Sequence, residues 1–175
     1  MNGKKMVGQI WSIDLAVSAV VFLGVVVFIF FIWNNVSLES QEQSAYRDVE
    51  TRALILSDSL IRTPGVPADW TGTTVKVIGL AETCGVFCEN VLSPGKVQEF
   101  VSGISYNTAR GLLGLRNSEF YFALRDLNGT LLAPWGTPLE KGAAPSPNAT
   151  VVVPTERFAL LDGNMTRVVL TVWSP

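Results

Sequence analysis

The chain has 175 residues, 48% of them hydrophobic, with 13 Lys and Arg against 15 Asp and Glu, a formal net charge of −2, no His and two Cys. That charge gives no electrostatic basis for gripping a nucleic-acid backbone, so no nucleic-acid partner is expected. Without His the chain lacks the commonest general base and metal ligand, and two thiols do not complete a four-ligand zinc site; no metal or cofactor is expected.

The excess of apolar residues is concentrated near the N-terminus. Residues Leu15 to Trp33 read LAVSAVVFLGVVVFIFFIW, without a charge or a proline. As a helix this run spans about 28 Å, close to the hydrocarbon thickness of a bilayer. Trp11 and Trp33 bracket it, as interfacial aromatics do. Lys4 and Lys5 precede the run, and the first basic residue after it is Arg47. The positive-inside rule therefore predicts a cytoplasmic N-terminus, with residues 34–175 outside. The run exceeds a secretory signal core and no small-x-small cleavage site follows it, so a retained single-pass anchor is expected. Asn-x-Ser/Thr triplets at Asn35, Asn128, Asn148 and Asn164 agree with that orientation. Asn35 lies beside the membrane, which leaves Asn128, Asn148 and Asn164 as the glycosylation candidates.

After Trp33 the sequence turns amphipathic. Leu38, Ala45, Val49, Ala53, Leu56 and Leu60 recur mostly at spacings of three or four, a helical stripe. Pro64 and Gly65 stop it. If Asn34-Asn35 makes no break, residues 9–62 form one helix of about 80 Å; a break there gives two.

The remaining residues suffice for one modest core. Thr73 to Gly79 (TTVKVIG) alternates and is β-branched, predicting a strand. Ser93-Pro94 predicts a capped helix running to about Val101, and Asn107 to Leu113 a second short helix stopped by Gly114. Glu119 to Arg125 predicts a strand with Phe120, Phe122 and Leu124 on its core face and Tyr121 opposite. Asn128-Gly129 predicts a turn, and Thr130 to Ala133 a short returning strand. Trp135 to Asn148 is Pro- and Gly-rich and predicts a loop, with Trp135 either packed on the sheet or presented to a partner. Val151 to Leu161 and Met165 to Trp173 flank Asp162-Gly163, the clearest hairpin in the chain. The predicted class is α+β: a long N-terminal helix, transmembrane then amphipathic, packed on an antiparallel sheet with short helices.

Chemistry-bearing motifs are scarce. Cys84 and Cys88, in ETCGVFCEN, have a spacing that permits a short structural disulfide. Free thiols, or a redox or metal pair, are the alternatives, although a redox pair would more usually read C-x-x-C. Glu82 and Glu89 flank the cysteines and read as a solvated acidic loop before a cation site. No nucleophile elbow or phosphate-binding loop accompanies the Ser and Asp residues, so no catalysis is expected.

The leader KKMVGQIWSID, the apolar helix, its amphipathic continuation and the sheet that follows resemble archaeal type IV pilin-like proteins. Further segments (RTPGVPADW, VIGLAE, SPGKVQEF, ARGLLGL, FYFAL and ERFALLDGNMTRVVLTVW) carry the resemblance across nearly the whole chain. The resemblance implies that a membrane prepilin peptidase cuts between Gly8 and Gln9. It divides the chain into a cytoplasmic leader (1–8), a transmembrane helix (9–33), an amphipathic extension (34–62) and an extracytoplasmic domain (63–175). It implies a non-catalytic subunit of a cell-surface filament or of a related secretion or adhesion assembly, associating with itself or with other pilin-like subunits through the N-terminal helix. Ala16, Ala19 and Gly24 would let helices approach closely. Asp14 would pair with the new α-amino group of a neighbour; alternatively it sits in the first helical turn, where the dipole favours it. Two positions depart from the family pattern: Met6 and Val7 separate Lys5 from the cut, and Asp14 is sixth rather than fifth after it. The competing reading is an uncleaved, signal-anchored outer module that binds a partner protein or an envelope polymer.

Overall fold

The computed structural model describes residues 7–84, 88–115 and 117–174, with residues 7–12 and 36–45 described by backbone alone. The basic leader, Lys4 and Lys5 included, lies outside the described residues, and Gly8, Gln9, Leu38 and Ala45 are described by backbone alone. Two compact units divide the chain, Met1–Ser44 and Ala45–Pro175. Helix α1 (Val7–Arg62) contributes to both.

In the first unit the described residues, 7–44, are helical, and a helix satisfies its own backbone N–H and C=O groups, as an apolar segment removed from water requires. In the second unit, α1 turns a buried stripe toward the core: Val49, Ala53, Ser57, Leu60 and Ile61. Ser57 and Ile61 were not part of the predicted stripe. Ser57 belongs there because its hydroxyl donates to Leu54 O at 2.9 Å, so burial leaves no unpaired polar atom. The exposed side carries the i,i+4 pairs Asp48–Arg52 and Asp58–Arg62, each worth a few tenths of a kcal/mol. The helix ends at Arg62 as predicted, with Pro64 and Gly65 following.

Between α1 and the sheet the chain is held by a tryptophan rather than by a strand. The Trp70 indole is 2% exposed and donates to Pro64 O and Gly79 O. The strand predicted over Thr73–Gly79 is absent, replaced by a turn and a single bridge, Val66↔Val77. The Thr-rich start of that segment folds on itself: the Thr74 and Val75 N–H groups bond Thr71 O, and the Thr71, Thr73 and Thr74 hydroxyls bond one another. Such local side-chain bonding competes with a sheet ladder and here displaces it.

The sheet has order β1-β4-β5-β2-β3, with β1 Val91–Leu92, β2 Glu119–Arg125, β3 Glu140–Lys141, β4 Val151–Leu161 and β5 Asn164–Ser174. It is mixed rather than wholly antiparallel, because β1 runs parallel to β4. The segment joining these two strands contains β2, β3 and every short helix, so no tight hairpin imposes the antiparallel sense. The β4–β5 hairpin is in register from Val151↔Ser174 to Leu161↔Asn164. Its two-residue turn has Asp162 at φ 50° and Gly163 at φ 77°, the left-handed pair that matches strand twist. Strand β2 then adds antiparallel to β5, from Glu119↔Trp173 to Arg125↔Arg167.

Short helices cover the inner face. Helix α2 (Pro94–Gln98) follows Ser93 and continues into a π-helical turn, Glu99–Gly103. Ser93 has the extended backbone of an N-cap, but its side chain makes no capping bond. Helix α3 (Tyr106–Leu112) is capped by the Ser105 side chain, which accepts from Thr108 N, and ends at Gly114 with φ 71°. Phe100 packs edge-to-face on Phe122 at 5.0 Å between ring centroids, and Phe120 stacks on Tyr106 at 4.9 Å. Phe120, Phe122, Leu124, Val168, Leu170 and Val172 are buried in the same core as the α1 stripe.

Strand β3 falls inside the predicted loop, while the predicted strand Thr130–Ala133 is reduced to the bridge Arg125↔Leu131. The residue that anchors β3 is a cation. Lys141 is 7% exposed; its ammonium donates to Val101 O and Ile104 O and lies 5.6 Å from the Phe100 ring centroid. It thereby closes carbonyls at the end of the π-helical turn. Lys96 does similar work near α1, donating to Pro64 O, Ala81 O and Thr83 Oγ1. Burial holds both ammonium groups below the usual lysine range.

Candidate functional site

Ile13–Asn35 is long and apolar enough to cross a membrane, and none of it is buried within the chain. Leu15, Val20, Phe22, Phe30 and Trp33 are each 66–74% exposed. A continuous apolar surface of this kind needs lipid or partner helices around it. The helix fits a membrane anchor or a signal sequence.

The geometry of α1 sorts the four residues singled out for subunit packing. At about 100° per residue, Ala19 lies about 60° from Ala16, and Gly24 about 80° to the other side. Gly24 is thus about 140° from Ala19 and about 80° from Asp14, between the two sides, and a Cβ there would meet no atom within 4 Å. Asp14 lies about 160° from Ala16, grouped with Ser18 one turn later. A neighbour seated on Ala16 and Ala19 therefore does not reach Asp14; contact with both flanks takes two different neighbours. Asn35, at the far end, donates its side-chain N–H to Phe31 O at 2.9 Å.

Cys84 and Cys88 form a disulfide, with Cα atoms 5.9 Å apart. The bond borders a cleft of about 280 Å³ lined by Arg62, Pro64, Glu82, Thr83 and Glu89. Arg62 lies 3.9 Å from Glu89, offsetting one of the two carboxylates flagged as a cation alternative. Among the described residues, no group of three or more His, Cys, Asp or Glu is placed to hold a metal ion.

Another cleft in the second unit carries no local sequence signal. About 510 Å³ in volume, it is lined by Tyr106, Glu119, Gly142, Ala143, Ala144, Ser146 and Trp173. The Glu119 carboxylate accepts from Tyr106 Oη at 2.6 Å and pairs with Arg110. Gly142, at φ 92°, admits no side chain: a Cβ there would lie 2.2 Å from Phe120 O. Sequence separation hid this cluster, since α3, β2 and the loop after β3 each contribute a part. Burial and the hydrogen bond to Glu119 push the Tyr106 phenol up to about 12. The unfolded phenol ionises near 10, so the stability it contributes is intact below pH 10 and falls as pH rises toward 12. Denaturant midpoints at pH 9, 10 and 11 should fall more steeply for wild type than for Tyr106→Phe, which lacks the group; parallel curves would refute the assignment.

The sequon asparagines Asn128, Asn148 and Asn164 are all exposed, on the turn after β2, the loop before β4 and the tip of the β4–β5 hairpin. Trp135 is 38% exposed. The chain matches no family model, no curated protein and no solved structure.

Proposed function

We propose that the protein is an archaeal type IV pilin-like structural subunit. It is anchored by Ile13–Asn35 with its N-terminus cytoplasmic, and its second unit faces outward. The leader is cut between Gly8 and Gln9 by a prepilin peptidase, and the freed helix packs against like helices. The protein performs no catalysis; its outer unit presents surface for adhesion or for contact within a filament or secretion assembly. The single observation carrying this reading is the conjunction of an apolar helix with every described side chain in Ile13–Asn35 exposed and a second unit with its own core. Two ammonium groups at Lys4 and Lys5 would hold the uncut helix at the cytoplasmic surface, since burying either costs several kcal/mol. Their removal frees the helix to leave lipid for a bundle.

The helix geometry provides a test. Ala16→Cys and Ala19→Cys should form symmetric disulfide-linked dimers on oxidation of native membranes, because small residues permit close approach. Membrane-inserted chains that give no dimer from either position, nor from Gly24→Cys, would sink self-association through these small residues.

The cleft lined by Tyr106, Glu119 and Trp173 favours a second reading, an uncleaved signal-anchored module that binds a partner protein or an envelope polymer. Under that reading the N-terminus stays intact and the helix stays monomeric.

A further inference from the structure

The sequence offers Asn128, Asn148 and Asn164 as equivalent glycan acceptors, but their surroundings differ. N-glycan transfer requires two groups at once, the asparagine amide and the hydroxyl two residues later, and both have to be free to enter the transferase. Asn128 sits at the tip of a turn closed by Gly129 N→Asp126 O and by Asp126 Oδ1 accepting from Thr130 N. Its side chain and that of Thr130 are exposed. Asn148 lies in an open loop with short-range bonds to Ser146, and Thr150 is exposed, its backbone N–H donating to Ser174 O at 3.1 Å. Thr150 Oγ1 touches Ser174 O only at 3.5 Å.

Asn164 has neither group free. Its Nδ2 donates to Asp162 O at 3.4 Å. Thr166, its sequon hydroxyl, is 3% exposed and donates to Ala159 O at 3.2 Å across the hairpin. Presenting this sequon would break the pairs Asn164↔Leu161, Met165↔Leu160 and Thr166↔Ala159. That unzips the end of the longest ladder in the sheet.

We infer that the folded protein accepts N-linked glycans at Asn128 and Asn148 and refuses them at Asn164, which is modifiable only before β4 and β5 pair. In each transfer, the amide nitrogen forms a bond to C1 of the sugar on a lipid-linked phosphate donor. The C1–O bond breaks, the lipid phosphate leaves, and one amide proton passes to a base of the transferase. The two acceptors lie at opposite ends of the sheet, because β2 ends beside Arg167 while Asn148 precedes the Val151↔Ser174 end. Glycans would thus cover both ends and leave the middle of the sheet bare.

The inference rests on the outward placement of the second unit, so the test separates the two. Purified full-length chain in detergent is incubated with a single-subunit oligosaccharyltransferase that requires only Asn-x-Ser/Thr, together with its lipid-linked oligosaccharide. Site occupancy is read by glycopeptide mass spectrometry, on native chain and on chain unfolded in urea and diluted into the reaction. The expected result is modification of Asn128 and Asn148 in both samples, with Asn164 at least tenfold lower in the native sample and comparable to the others in the unfolded one. Equal occupancy of all three sites on native chain would overturn the inference, as would modification of Asn164 alone. A chain that shows the expected selectivity in vitro but carries no glycan when made in glycosylating cells would count against outward placement and leave the selectivity standing.

Discussion

Phe122→Ala is expected to destabilise the Ala45–Pro175 unit by about 3–5 kcal/mol. Phe122 is 0% exposed, on the central part of β2, with β3 on one side and β5 on the other. Its ring meets Phe100 edge-to-face at 87°. Truncation loses that aromatic contact and leaves a cavity. Collapse is resisted because Phe100 also contacts Phe120 and lies beneath the Lys141 ammonium. Phe158→Ala, on a side chain 59% exposed on the other face, should change stability by less than about 0.5 kcal/mol. Denaturant titration of the full chain in detergent measures both, followed by fluorescence of the buried Trp70 and Trp173. Equal midpoints for the two variants would contradict the placement of the core.

The second large effect is on membrane retention. Val21→Lys with Val25→Lys puts two ammonium groups on one helix face near the middle of Ile13–Asn35, too far from either end to snorkel easily. On insertion scales the pair costs roughly 5–7 kcal/mol, against about 0.3–0.6 kcal/mol gained by each Val, Ile, Leu or Phe in the run. The double variant should pass from the alkali-resistant membrane fraction largely into the soluble or aggregated fraction. Val21→Leu with Val25→Leu should remain in the membrane. Retention of the double lysine chain would contradict insertion by this helix.

What was legible in the sequence follows a physical division. Strand β2 and the β4–β5 hairpin were visible because alternating burial and an Asp-Gly turn are local signals. The end of α1 before Pro64 and the start of α3 near Asn107 were visible for the same reason. Thr73–Gly79 misled because threonine serves both a β-branched ladder and a hydroxyl-bonded turn, and only the contacts decide. Strand β3 was invisible because its buried residue is Lys141, whose burial depends on carbonyls 37 and 40 residues away. The parallel pairing of β1 depends on the whole intervening chain. The disulfide, the reading favoured at Cys84 and Cys88, forms in the structure. That Asp14 lies across the helix from Ala16 and Ala19 could have been read from their numbers alone, since helical rotation is fixed. The cleft at Tyr106, Glu119 and Trp173 was not legible, because no one segment supplies it.

The pilin-like account stands most directly on what happens at Gly8 and Gln9. The decisive measurement is the intact N-terminal mass of the membrane-extracted chain, made with and without a co-expressed prepilin peptidase. The account predicts a mature chain beginning at Gln9 only when the peptidase is present. A chain that keeps Met1 or Asn2 in the presence of a peptidase shown to cut a control prepilin would contradict it, and the protein would then be read as a signal-anchored outer module.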